Sequence, residues 1–231
     1  MRPLRDGGEI RLYAADAHIS NRPTGEYDNT ILCAECDNSF SPWEKYTATL
    51  LFDDPQYKKR TPNKTFISVK NYDYAALKLC LLSILWKMSL SAKEVFQDIK
   101  LGRYENEIRD MLLQKNPGTL KQLPIFIARY SDRIGWLTMY APARARVNGV
   151  NVYTYGLPGH RIYVLVDQRP HPYSEVLKMS LQPDKPLRMF VTQWETAKNA
   201  QEHNETFHTF FGSIYRQKRR HRKLLPLMRI D

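Results

Sequence analysis

Two cysteines three residues apart, Cys33 and Cys36 in the stretch DNTILCAECDN (28–38), are the residues of this chain best suited to chemistry. A C-x-x-C turn lets both thiolates reach one ion, and the backbone amides of the turn stabilise charge on sulfur. A structural zinc site takes four nitrogen or sulfur ligands, commonly two such knuckles or one knuckle with histidines. The remaining cysteine, Cys80, sits in the apolar run LCLLSILW and reads as a small core residue. The knuckle is thus half of a zinc site. His18 is the only histidine near it in sequence, because His160, His171, His203, His208 and His221 are all distant. A homodimer would complete a four-cysteine site by symmetry, and a protein partner would serve as well. The alternative is a relic that holds no metal, its turn kept by the following helix and by packing of Phe40 and Trp43.

The segments around the knuckle say how it is positioned. Ser41-Pro42-Trp43-Glu44 combines an N-cap residue, a first-turn proline and a capping-box glutamate, which predicts a helix from Pro42 to about Phe52. Residues 72–89 are apolar almost all round and predict a buried helix, with Lys78 and Lys87 flanking its most apolar run. SAKE (91–94) is a second capping box, expected to open a short helix that ends near Gly102. RYENEIRDMLLQ (103–114) is amphipathic and stopped by NPG. Short strands are expected at 10–14 and 65–70.

The apolar period then changes to two. LPIFIARY, RIGWLTMY, ARARVNG, VNVYTYGL and HRIYVLVD predict an antiparallel meander from Leu123 to Asp167, with a hairpin at Asn148-Gly149. One further strand is expected around 187–191, then a C-terminal helix. The fold class is α+β: a small cysteine-bearing module with a ββα-like layout (1–55), an α+β domain (56–215) with helices over 72–114 and a sheet over 123–191, and a basic tail (216–231).

The net charge of +11 is unevenly placed. The octet RQKRRHRK carries Arg216, Lys218, Arg219, Arg220, Arg222 and Lys223 with no acidic residue, while the body of the chain is only mildly basic. That density points to DNA or RNA bound through phosphates, salt-dependent and tolerant of sequence. Arg144 and Arg146 share one face of a strand, and Tyr153, Tyr155 and Tyr163 alternate where bases could stack. Their plainer reading is a solvent face and a half-buried sheet. Several enzyme classes leave no trace, since Walker, G-x-S-x-G, G-x-G-x-x-G and H-E-x-x-H motifs are lacking. The Asp53-Asp54 pair lacks the third carboxylate of a two-metal site. No apolar run approaches the roughly 20 residues of a membrane span, and the N-terminus has no signal-peptide pattern, so a cytoplasmic protein is expected.

PTGEYDNTILCAECDNSFSPWEKY resembles the C-terminal half of the zinc-ribbon HNH-endonuclease-like module found in many bacterial proteins. RVNGVNVYTYGLPGHRIYVLVDQRP is similar to the region C-terminal to that module in one such group, and the likeness runs from about Arg22 to Pro172. The resemblance implies that Cys33 and Cys36 form the second zinc knuckle. It implies that Asn29 orients a catalytic base and that Asp37 or Asn38 helps hold a catalytic Mg or Mn ion. The upstream C-x-x-C and the His-Ile-Pro that carries the base are missing, leaving His18 in the base's place. Loss of a general base alone costs roughly 10²–10⁴ in rate. The expectation is a shortened or degenerate relative that binds nucleic acid without cleaving it unaided. The alternatives are an active metal-dependent nuclease whose base is His18 or comes from an upstream segment, and a non-enzymatic interaction module of a larger assembly.

Overall fold

The long apolar segment of the middle region becomes the helix around which the molecule is built. The structure is a computed structural model that describes residues 10–13, 19–22, 28, 30–53, 66–131, 138–140, 142–147, 150–167 and 177–193. Helix α3, Tyr74–Leu90, begins at Asp73, whose carboxylate accepts the Ala76 amide at 2.9 Å. Its residues Leu77, Leu81, Leu82 and Leu85 are fully buried, as a helix apolar on every side requires. On one flank lie α1 (Ala34–Asn38) and α2 (Ser41–Ala48), the latter continuing as a π-helical turn over Thr49–Asp53. On the other lies α4, Arg103–Leu113, which buries Ile108, Met111 and Leu112 and leaves Leu113 72% exposed. Phe40, Leu50 and Leu51 belong to the same core as α3 and the sheet.

The strands are β1 (Ile10–Tyr13), β2 (Ile19–Arg22), β3 (Phe66–Val69), β4 (Ile125–Tyr130), β5 (Thr138–Tyr140), β6 (Ala143–Val147), β7 (Val150–Leu157), β8 (His160–Leu165) and β9 (Leu187–Thr192). Six of them form a sheet in the order β3-β9-β4-β8-β7-β6. One face, with Ile125, Ile127, Tyr155, Ile162 and Val164, packs beneath α3. The other face gathers Phe126, Ala128, Val152, Tyr163, Leu165 and Phe190, against which Leu177 and Met179 pack. Both faces being covered, every residue of β4 and β8 is buried. The class is α+β.

The expected antiparallel meander is corrected. Strand β4 pairs antiparallel with β8 on one edge and parallel with β9 on the other, so the sheet is mixed. With both edges of β4 taken, none is left for β5, which instead runs parallel to β1 in a separate three-stranded sheet, order β2-β1-β5. The hairpins do follow the turn residues. Val147 pairs with Val150 around Asn148-Gly149, and Leu157 pairs with His160 around Pro158-Gly159, Gly159 adopting φ +70°. The expected C-terminal helix lies outside the described residues.

Both proposed capping boxes are corrected too. Phe40, already helical at φ −88° and ψ −15°, is the N-cap of α2, and Ser41 lies inside the helix. The preceding turn delivers the chain in helical geometry, so the extended conformation that a serine cap needs never arises. Ser91 ends α3, and SAKE leads only into a 3-10 turn at Glu94–Phe96. Lys78 does not flank the core but lies within it, 1% exposed.

Candidate thiol site and the cleft beside it

Residues 30–33 approach the knuckle, and Asp28 fixes that approach. Its carboxylate accepts the Ser91 hydroxyl at 2.5 Å, the Thr30 hydroxyl at 2.7 Å and the Thr30 amide at 3.0 Å. These donors, Ser91 first, hold the carboxyl down to about 2. The segment before Cys33 is thereby tied to the C-terminal end of α3, 63 residues further along the chain.

Cys33 is the N-cap of α1, and its Sγ accepts the Cys36 amide at 3.4 Å while its carbonyl accepts the Asp37 amide at 3.0 Å. Both cysteines are exposed, and neither is in a disulfide. The Cys36 amide, followed by the Cys36 thiol, lowers the Cys33 thiol below its ordinary value. Cys36 moves the opposite way, because it gives its hydrogen to Cys33 and then faces that sulfur's charge. The two thiols are therefore chemically unequal although both stand open to solvent. Cys80 is buried, its thiol pushed up to about 11 by burial, as expected of a core residue.

Asp37 and Asn38 turn to a cleft of about 570 Å³ lined also by Asp28, Ile31, Leu32, Ala34, Glu44 and Lys87. Lys87 of α3 reaches across it. Its Nζ donates to Asp37 at 2.7 Å and Glu44 at 3.0 Å and stands 5.1 Å above the Phe40 ring. Burial opposes the charge on Lys87, but the two carboxylates outweigh it and hold the ammonium above its ordinary value. Phe40 and Trp43 stack at 5.7 Å, which packs the turn between α1 and α2 as the sequence implied.

The structure joins some of the expected site residues and not others. Cys33, Cys36, Asp37 and Asn38 fall within one helical turn and its N-cap. Asp37 is already matched by Lys87, so a divalent ion there would first have to displace an ammonium. His18, Asn29 and the basic residues Arg216, Lys218, Arg219, Arg220, Arg222 and Lys223 lie outside the described residues. Among the described residues, no group of three or more His, Cys, Asp or Glu could hold a metal ion. Tyr153, Tyr155 and Tyr163 are all buried, in keeping with the plainer reading of a packed sheet rather than with base stacking. Tyr153 and Tyr155 donate their hydroxyls to the carbonyls of Lys100 and Leu81. Arg144 and Arg146 are exposed, the former donating weakly to Asn151 at 3.4 Å.

Lys87, Glu44 and Ser91 were not legible as site residues. No local spacing announces a lysine 50 residues from its carboxylate partner. The only signal was a charged residue in an otherwise apolar helix.

Comparison with family models, with curated proteins and with solved structures finds no match to this chain. Among the described residues, no helix is long and apolar enough to cross a membrane.

Proposed function

We propose that this chain is a nucleic-acid-binding protein of HNH-like descent whose Cys33–Cys36 knuckle supplies half of a zinc-thiolate site, and that it does not cleave its nucleic acid unaided. The observation that supports the metal reading is the knuckle itself. Two exposed thiols share one turn, with a backbone amide directed at the first sulfur at 3.4 Å. Cys33 and Cys36 would hold the ion, which would stiffen the turn before α1; the remaining ligands come from His18, a second copy or a protein partner. The Asp37–Lys87 ion pair argues against unaided hydrolysis, because metal-assisted cleavage needs a carboxylate open to the ion and a base to activate water.

Metal content per chain, measured on protein purified without chelator together with its mass in solution, tests this reading. About one zinc per chain places the missing ligands within the chain, and half a zinc per chain in a dimer places them on a second subunit. Chelation, or Cys33→Ser with Cys36→Ser, then lowers the melting temperature. A zinc-free protein whose melting ignores chelator would end the metal reading. Plasmid DNA incubated with Mg²⁺ or Mn²⁺ is expected to stay intact, and nicking lost in Asn38→Ala would establish the nuclease instead.

A further inference from the structure

The same two sulfurs allow a second chemistry that needs no ion. Cys33 is the N-cap of α1 and Cys36 its third residue, so a single turn of backbone joins them. A disulfide requires Cα atoms within roughly 4.4–6.8 Å. The Cys33 sulfur already lies over the Cys36 backbone, accepting its amide at 3.4 Å, so side-chain rotation can close the pair. Both thiols are exposed, whereas Cys80 is enclosed in the core. Neither cysteine lines the cleft that Asp37 and Asn38 face, so both thiols meet solvent directly.

We propose that Cys33 and Cys36 are a dithiol that exchanges with low-molecular-weight disulfides from solution, Cys33 attacking and Cys36 resolving. The Cys33 thiolate attacks one sulfur of the disulfide RSSR, forming Cys33–S–S–R and breaking the original bond. The released RS⁻ takes up a proton. Cys36, after losing its own proton to solvent, attacks Cys33 Sγ, forming the Cys33–Cys36 disulfide and releasing the second RS⁻. Two electrons pass from the protein to RSSR, which leaves as two RSH. Cys33 is the attacking sulfur because the Cys36 amide is aimed at it and offsets charge there. This goes beyond the metal reading, since sulfurs joined to each other cannot hold a zinc ion.

The full chain, its zinc content measured, is equilibrated in glutathione buffers of graded oxidised-to-reduced ratio, quenched in acid, alkylated and weighed by mass spectrometry. The expected result is loss of two hydrogens from the peptide carrying residues 33–36, in a single two-electron transition. In kinetic runs with glutathione disulfide, Cys36→Ser traps a mixed disulfide on Cys33 at least about tenfold faster than Cys33→Ser traps one on Cys36. Cys36→Ala and Cys33→Ala repeat the comparison if a serine variant fails to fold. Two thiols that stay reduced across the whole series, or single variants that react at equal rates, would overturn the proposal. A zinc-free protein that oxidises supports the dithiol and rejects the metal. A zinc-bearing protein that stays reduced even after chelation keeps the metal and rejects the dithiol.

Discussion

His160 shows how far a residue's surroundings can override its usual chemistry. It is fully buried, its Nδ1–H donates to the Pro158 carbonyl at 2.9 Å, and the Phe52 ring packs edge-on at 5.9 Å. Burial, with the Arg129 charge adding to it, pushes the imidazole down to about 4 from 6.5. Below pH 6.5 the unfolded chain binds a proton that the folded chain refuses, so stability falls as the pH falls and the loss is complete near pH 4. At about 1.4 kcal/mol per unit the loss amounts to roughly 3 kcal/mol. Urea unfolding between pH 7 and 4 should show it in the native chain and not in His160→Asn, whose side-chain amide can still donate to Pro158. Parallel pH profiles for the two proteins would mean that the ring titrates alike folded and unfolded. The same histidine illustrates what sequence leaves open. One of the neighbours that enclose it, Phe52, lies more than a hundred residues earlier, and no local pattern contains that neighbour. The Cys33–Cys36 turn, by contrast, was legible because its geometry is contained within four consecutive residues.

Elements were legible wherever their own side chains decide them. The apolar-all-round pattern placed α3 within two residues of its observed start and one of its end, and the amphipathic stripe placed α4 as closely. Strand partners were another matter. Period-two alternation marks a strand but does not name its neighbour, so β9 between β3 and β4 could not be foreseen. Lys78 marks a similar limit. A lysine inside an apolar helix reads as its flank, yet its Nζ donates to the carbonyls of Thr119 and Gln122 at 3.0 and 2.8 Å and to the Tyr74 hydroxyl at 3.1 Å. Burial lowers its ammonium to about 8, and these three acceptors take up its hydrogens in the interior. It pins the loop between α4 and β4 onto α3. Lys78→Met keeps the stem but removes the lysine donor from both carbonyls, leaving that of Thr119 with the Gln122 amide at 3.2 Å. The change should cost about 1–3 kcal/mol. Hydrogen exchange localises the effect: amides of residues 116–124 should quicken while those in the centre of α3 stay protected. Uniform quickening would show instead that the lysine supports the whole core.

At the scale of the molecule, the nucleic-acid binding proposed above has two candidate clusters of cations, the tail octet and the exposed Arg144–Arg146 pair of the edge strand β6. Among the sheet's other cations, Arg188 of β9 is exposed but has no second cation in its strand. The tyrosines of the sheet are buried, and Arg161 is 2% exposed with its Nε donating to the Thr154 hydroxyl at 2.8 Å. The tail concentrates six cations in eight residues, against two on β6. Counterion release scales with the number of phosphates neutralised, so six contacts would give a log–log salt slope of about −5 and two a slope near −2. The full chain should therefore bind single- or double-stranded nucleic acid with a steep salt dependence. Removing residues 216–231 should abolish that binding in fluorescence anisotropy at moderate salt and leave the melting temperature unchanged. A truncated chain that retained both affinity and slope would move the interface to the body of the protein. Arg144→Ala with Arg146→Ala would then be the pair to change.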